Sequence, residues 1–236
     1  DHGDYNVATN YVKGNNSYTV FAGANYSHVD GTETWNNENY QFPQSLFDRE
    51  SYSKNSYRNH QEYMQFRYQN QKGKRYWVGK FTLLNLSTPR NASSGFAKES
   101  TETDVFSNIR KKSLSPKIDL NANLPLSKNQ TLTLGVHGKY SANSYHRLYQ
   151  EQPFETMTDE DENALSFQLS AIYNYFSQKH SLSVELFHYH DVWNADYSGN
   201  CELWQHLWKG ESLAFFSYNF QASRRLSLKT RIGLDW

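Results

Sequence analysis

Long apolar runs are missing from this chain of 236 residues. No stretch approaches the ~18 consecutive apolar residues of a membrane-crossing helix. Cysteine is almost missing as well. Cys201 stands alone, which rules out an internal disulfide and a cysteine-rich metal cluster. Neither sign of charge is in excess: Lys plus Arg number 24 and Asp plus Glu number 24. That balance argues against a general nucleic-acid binder, which carries a basic surplus. Hydrophobic residues reach only 37 %, and aromatics alone account for 16 %. A conventional globular core draws on roughly 45–50 % apolar usage. Mean hydropathy is −0.88, low enough for a disordered chain, yet 18 Tyr, 14 Phe and 6 Trp are unlike one. A sheet with one apolar and one wet face, rimmed by aromatic rings, reconciles these numbers.

What is present is a period of two. Leu114, Pro116, Ile118, Leu120, Ala122 and Leu124 alternate with Ser113, Ser115, Lys117, Asp119, Asn121 and Asn123. Side chains alternate across a strand, so this segment has an apolar and a polar face. The pattern restarts with Leu132, Leu134, Val136, Gly138, Tyr140 and Ala142, then with Leu165 to Tyr175, then with Leu182, Val184 and Leu186. Leu226, Leu228, Ile232, Leu234 and Trp236 form a late face. Earlier faces are Tyr18 to Tyr26, and Met64, Phe66 and Tyr68. Tyr76, Val78, Thr82, Leu84 and Leu86 form another, interrupted by Lys80, whose amine is expected to snorkel at an interface. About ten strands result, with no amphipathic helix. Lys117, Asp119, Lys139, Glu185, Lys229, Arg231 and Asp235 all fall on polar faces. Charges facing lipid would cost about 2–4 kcal/mol each near a bilayer midplane, so this segregation points to a wet lumen.

The connections alternate in length. Short ones fall near 14–16, 70–74, 125–129, 177–180 and 221–224. Long ones cover roughly 30–56, 87–111, 144–163 and 191–211. A transmembrane β-barrel has this asymmetry of short turns at one rim and long loops at the other. The expected fold is therefore all-β: an antiparallel up-and-down transmembrane barrel of about ten strands over residues 1–236. A soluble carbohydrate-binding β-sandwich is the rival, and it needs a second apolar face to cover the first.

Chemical constellations are sparse. His188 and His190 share a strand face and could hold a metal, but no third ligand has a fixed spacing. The acidic run Asp159-Glu160-Asp161-Glu162 reads as a solvated loop rather than a calcium loop. Asp159 and Asp161 also have the spacing of a catalytic aspartate pair, without an Asp-x-His partner. No phosphate loop and no nucleophile elbow occurs. Catalytic residues, metal ligands and cofactors are each expected to be none, and the chain is expected not to be an enzyme.

Several stretches resemble a known family. Ser115-Pro116-Lys117-Ile118-Asp119-Leu120, Leu124-Pro125-Leu126, and Gly138-Lys139-Tyr140 are similar to barrel strands of TonB-dependent receptor-like outer-membrane proteins of the Bacteroidota. Tyr173-Asn174-Tyr175 and Asp196-Tyr197-Ser198-Gly199 fit the same pattern. The resemblance covers residues 112–236 better than 1–111. It implies a larger barrel of about 22 strands, of which this chain is an internal segment, with the plug domain and signal peptide outside it. A complete ten-stranded barrel stays open as the alternative. The implied function is TonB-dependent uptake of a nutrient ligand across the bacterial outer membrane. A structural or assembly-partner barrel without transport is the second reading. Implied partners are outer-membrane lipid, the rest of the barrel with its plug, the TonB complex acting through the plug, and a surface lipoprotein, with no nucleic acid. Ligand contacts in such receptors come from the long outer loops, which makes Trp35, Tyr40, Trp193, Tyr197, Trp204 and Trp208 the candidates.

Overall fold

The computed structural model describes residues 1–42, 45–98, 102–221 and 227–236. Ten antiparallel strands follow one another in a single meander: β1 (His2–Lys13), β2 (Asn16–Phe42), β3 (Ser45–Lys72), β4 (Arg75–Lys98) and β5 (Glu102–Ser127), then β6 (Gln130–Glu151), β7 (Phe154–Phe176), β8 (His180–Gly199), β9 (Leu203–Gln221) and β10 (Ser227–Asp235). Each strand pairs only with its sequence neighbours, and the sheet is not closed. Leu226 and most of the expected turn near 221–224 lie outside the described residues. The other expected short turns are present. Gly14 and Gly73 turn the first two of them at φ +59° and +60°, where a side chain would be strained.

One face of the sheet is predominantly apolar. Register carries it from Val7 to Ala22, Met64 and Leu83, on to Pro116, and again from Ile118 through Gly138 to Phe167, beyond which His188 and His190 on β8 interrupt it. Ile118, Leu134, Leu169 and Leu228 all lie on it, at 43 %, 36 %, 39 % and 62 % exposure. No large side chain is fully buried among the described residues, and the buried apolar residues are three alanines, Ala97, Ala122 and Ala195. A sandwich would cover this face with a second sheet. All ten described strands belong to one sheet, which agrees with the expected barrel segment and not with the rival sandwich.

The opposite face is polar and concave. Asp119 sits on it, 7 % exposed, between Lys80 at 3.1 Å, Lys117 at 3.4 Å and His137 at 2.8 Å. This corrects the reading of β4. Lys80 pairs with Asp119 across the strands, so Tyr76, Val78, Thr82, Leu84 and Leu86 share the polar face. Trp77, Gly79, Phe81 and Leu83 supply the apolar one, opposite Ala122, Leu120, Ile118 and Pro116. Lys80 is an ion-pair member and not an interfacial exception.

The four long connections are corrected as well. They are not loops: β2–β3, β4–β5, β6–β7 and β8–β9 continue as paired ribbons almost to their tips. Pairing satisfies the backbone groups there, while both faces are wet, so hydropathy no longer alternates although the strand persists. Three irregularities lie side by side at the base of the first ribbons. They fall at Asp30/Thr32, Arg58/His60 and Thr88/Asn91. The first turns at Gly31, φ +79°. Above them β2 and β4 have exchanged the parity of their faces.

Candidate ligand-binding wall

The acidic run on β7 is strand, so its members separate by face. Glu160 and Glu162 stand opposite Tyr197 and Ala195 on the concave side, while Asp159 and Asp161 stand opposite Ser198 and Asp196 on the other. Glu162 is held from two strands. The Trp193 indole N–H donates to its Oε1, and Asn143 donates to its Oε2 at 3.2 Å. Ser113 in turn donates to Asn143 Oδ1 at 2.6 Å. Desolvation, followed by the Glu160 carboxylate, pushes the Tyr197 phenol above its ordinary value.

Closer to the tips the wall is knit by Glu151. Arg49 Nη2 on β3 donates to Glu151 Oε1 at 3.2 Å, and the Tyr149 hydroxyl donates to Oε2. The Arg147 guanidinium lies 5.7 Å from the Tyr149 ring centre, and Lys111 lies 5.3 Å from that of Tyr145. Glu151 first, by accepting that hydrogen bond, and then burial raise the Tyr149 phenol. Below this row lies a hollow of about 440 Å³ lined by Ser113, Ser115, Lys139, Ser141, Asn143 and Glu162, together with Ala164 and Ser166. Aromatic faces, fixed carboxylate acceptors and hydroxyl groups line one surface. Such a surface grips a polar ligand by hydrogen bonds and covers its flat parts by stacking.

The six sequence candidates are strand residues, which corrects their placement on loops, and register divides them. Tyr40, Trp193 and Tyr197 face the concave side, with Trp193 and Tyr197 in the Glu160–Glu162 cluster. Trp35, Trp204 and Trp208 lie on the opposite face, 62 %, 65 % and 62 % exposed. Trp35 packs on Tyr52 at 4.5 Å and on Phe96 at 6.1 Å. Trp208 meets His190 edge-on at 5.4 Å, and Trp204 stacks on His206 at 5.9 Å. His188 and His190 share that face, with His188 bonded to Ser212 Oγ at 2.9 Å. Among the described residues no group of three metal-ligating side chains forms. Glu160, Glu162, Tyr149 and Arg49 are the wall residues that sequence reasoning missed. The strict alternation of Asp and Glu in 159–162 was the available signal for the first two.

No family model matches the sequence, and no curated protein matches it. Solved structures do match in fold. The ferric yersiniabactin uptake receptor FyuA from Yersinia pestis aligns with a TM-score of 0.56 at 9 % identity, over 98 % of this chain and 44 % of that one. The ferric citrate transporter FecA aligns with a TM-score of 0.46 at 9 % identity, over 98 % of this chain and 39 % of its own. The siderophore receptor PiuA from Acinetobacter baumannii aligns at 0.34 and 9 % identity, over 98 % of this chain and 47 % of its own. This chain thus spans less than half the length of each. The FyuA match bears on fold alone, and it agrees with an up-and-down barrel segment.

Proposed function

We propose that this chain is part of the barrel wall of an outer-membrane receptor that takes up a nutrient ligand by TonB-dependent transport. The observation that carries the reading is the division of one ten-stranded meander into a predominantly apolar face and a concave, hydrogen-bonded polar wall. Hydrocarbon suits the first face and a water-filled lumen the second. The fold match to FyuA, an uptake receptor, supports it. In this reading energy reaches the ligand site through a plug held in the lumen and contacted by the TonB complex. A surface lipoprotein is a further partner at the ribbon tips. Ligand touches Tyr40, Trp193 and Tyr197, with Glu160 and Glu162 as acceptors. Trp35, Trp204 and Trp208 belong to the outer surface and the bilayer margin.

The test uses the full-length receptor in its own cell. A deletion strain is grown on a panel of sole carbon and iron sources to find the growth it loses. Complementation with the Trp193→Ala, Tyr197→Ala double variant should fail on that source, and Trp35→Ala should restore growth. Full restoration by the double variant, at normal surface levels, would move the ligand elsewhere. A deletion strain that loses no growth favours the structural-barrel reading.

A further inference from the structure

At the short-turn rim the chain is basic despite its zero net charge. The described turns and their flanking residues hold Lys13, Lys72, Lys74, Arg75, Lys128 and Lys179, and no carboxylate. The β3–β4 turn is the densest, with three cations in four residues, all exposed. None of the three is in an ion pair among the described residues; Arg75 rests its guanidinium over the Trp77 ring at 5.8 Å. Directly beyond Trp77 the apolar face is hollowed. Gly79 and Ala122 supply little side chain there, and Tyr68, Trp77, Leu120 and Leu134 stand around them, leaving a groove of about 590 Å³. Trp77 lies two positions beyond Arg75, which is about 7 Å along a strand. A cationic cluster thus meets the open end of an apolar groove, and an aromatic ring marks the boundary.

We infer that this groove binds one anionic glycerophospholipid of the membrane leaflet at the short-turn rim, its acyl chain over Gly79 and its phosphate on Lys72, Lys74 and Arg75. The inference rests on the bilayer reading above and adds a ligand on the outside of the wall. Charge complementarity selects the occupant. A hydrocarbon chain alone would explain the groove but leave three clustered cations unanswered, and a free phosphate would leave the groove empty. An anionic headgroup on an acyl chain satisfies both.

Native mass spectrometry of the full-length, delipidated receptor tests this with phosphatidylglycerol and phosphatidylcholine as probes. Wild type should retain phosphatidylglycerol on the order of tenfold more strongly. The Lys72→Gln, Lys74→Gln, Arg75→Gln variant should bring the two lipids to parity. Gly79→Leu, which fills the groove from a Cβ position 3.3 Å from Leu120 Cδ2, should lower retention of both. Lys128→Gln, on another turn, should leave the preference intact. An unchanged preference in the triple variant overturns the site. So does its full loss in Lys128→Gln, which would mark diffuse attraction to the whole rim. Heat-modifiable gel mobility reports barrel folding independently: folded receptor without lipid selectivity refutes only the lipid site, and a chain that never folds in detergent refutes the bilayer reading too.

Discussion

Arg49 on β3 and Glu151 on β6 are joined at 3.2 Å, although β4 and β5 lie between their strands. Neighbouring strands stand about 4.8 Å apart, so three spacings put their backbones roughly 14 Å from one another. Two long side chains close that gap because the sheet curls toward its polar face. The pair therefore ties the β2–β3 ribbon over the concave wall.

Arg49→Gln should loosen the ribbon without unfolding the sheet. Partly exposed pairs of this kind contribute at most about 1 kcal/mol. Hydrogen exchange should rise several-fold for amides near 49–56 and stay unchanged in β7 and β8. Equal acceleration in both places would show that the tie is global.

Asp119 holds two lysines and a histidine, so Asp119→Asn should cost about 1–3 kcal/mol by leaving Lys80 and Lys117 without a counter-charge. The urea midpoint of the folded protein, read by tryptophan fluorescence, measures it. Pairing the change with Lys80→Met should cost less than the sum of the two single changes. Strict additivity would mean that Lys80 and Asp119 act independently.

The Tyr149 phenol, raised by its hydrogen bond to Glu151, sets an alkaline limit on the wall. The neutral hydroxyl is the donor. Its contribution is fully present below the ordinary tyrosine value of about 10, and it is lost as pH rises through the higher folded value. Ultraviolet difference titration should show a late-ionising set of tyrosines, Tyr149 and Tyr197 among them, of which one moves earlier in Glu151→Gln. An identical titration in both proteins would detach Tyr149 from Glu151.

Gly95→Ala should part β3 from β4 near their tips. A Cβ there would lie 1.8 Å from the Tyr52 carbonyl oxygen, so backbone must move. Limited proteolysis should cut between 50 and 98 in the variant before it cuts wild type. Resistance equal to wild type would show that the ribbon absorbs the methyl group.

The sequence made the strand number, the short turns and most of the apolar face legible, because one face of each lower strand is apolar and the other polar. It misled where that contrast fails. On β4 Val78, Leu84 and Leu86 are on the inside while Trp77, Phe81 and Leu83 are on the outside, so a period of two cannot name the face. Lys80 carried the answer, but only beside Asp119. The ribbons read as loops because water touches both their faces. The Trp193–Glu162 contact depends on β7–β8 register, with the partners 31 positions apart in sequence, and no local pattern encodes it.

The parity exchange at Gly31 and at Thr88/Asn91 makes the ribbons above separable from the sheet below. Lengthening a ribbon by two residues in each arm keeps every lower facing, and a single-residue change can be taken up at the irregular band. Tips could thus be exchanged as cassettes on a constant base. Selection can then rewrite the ribbon tips while Lys80, Asp119 and the apolar face keep their register.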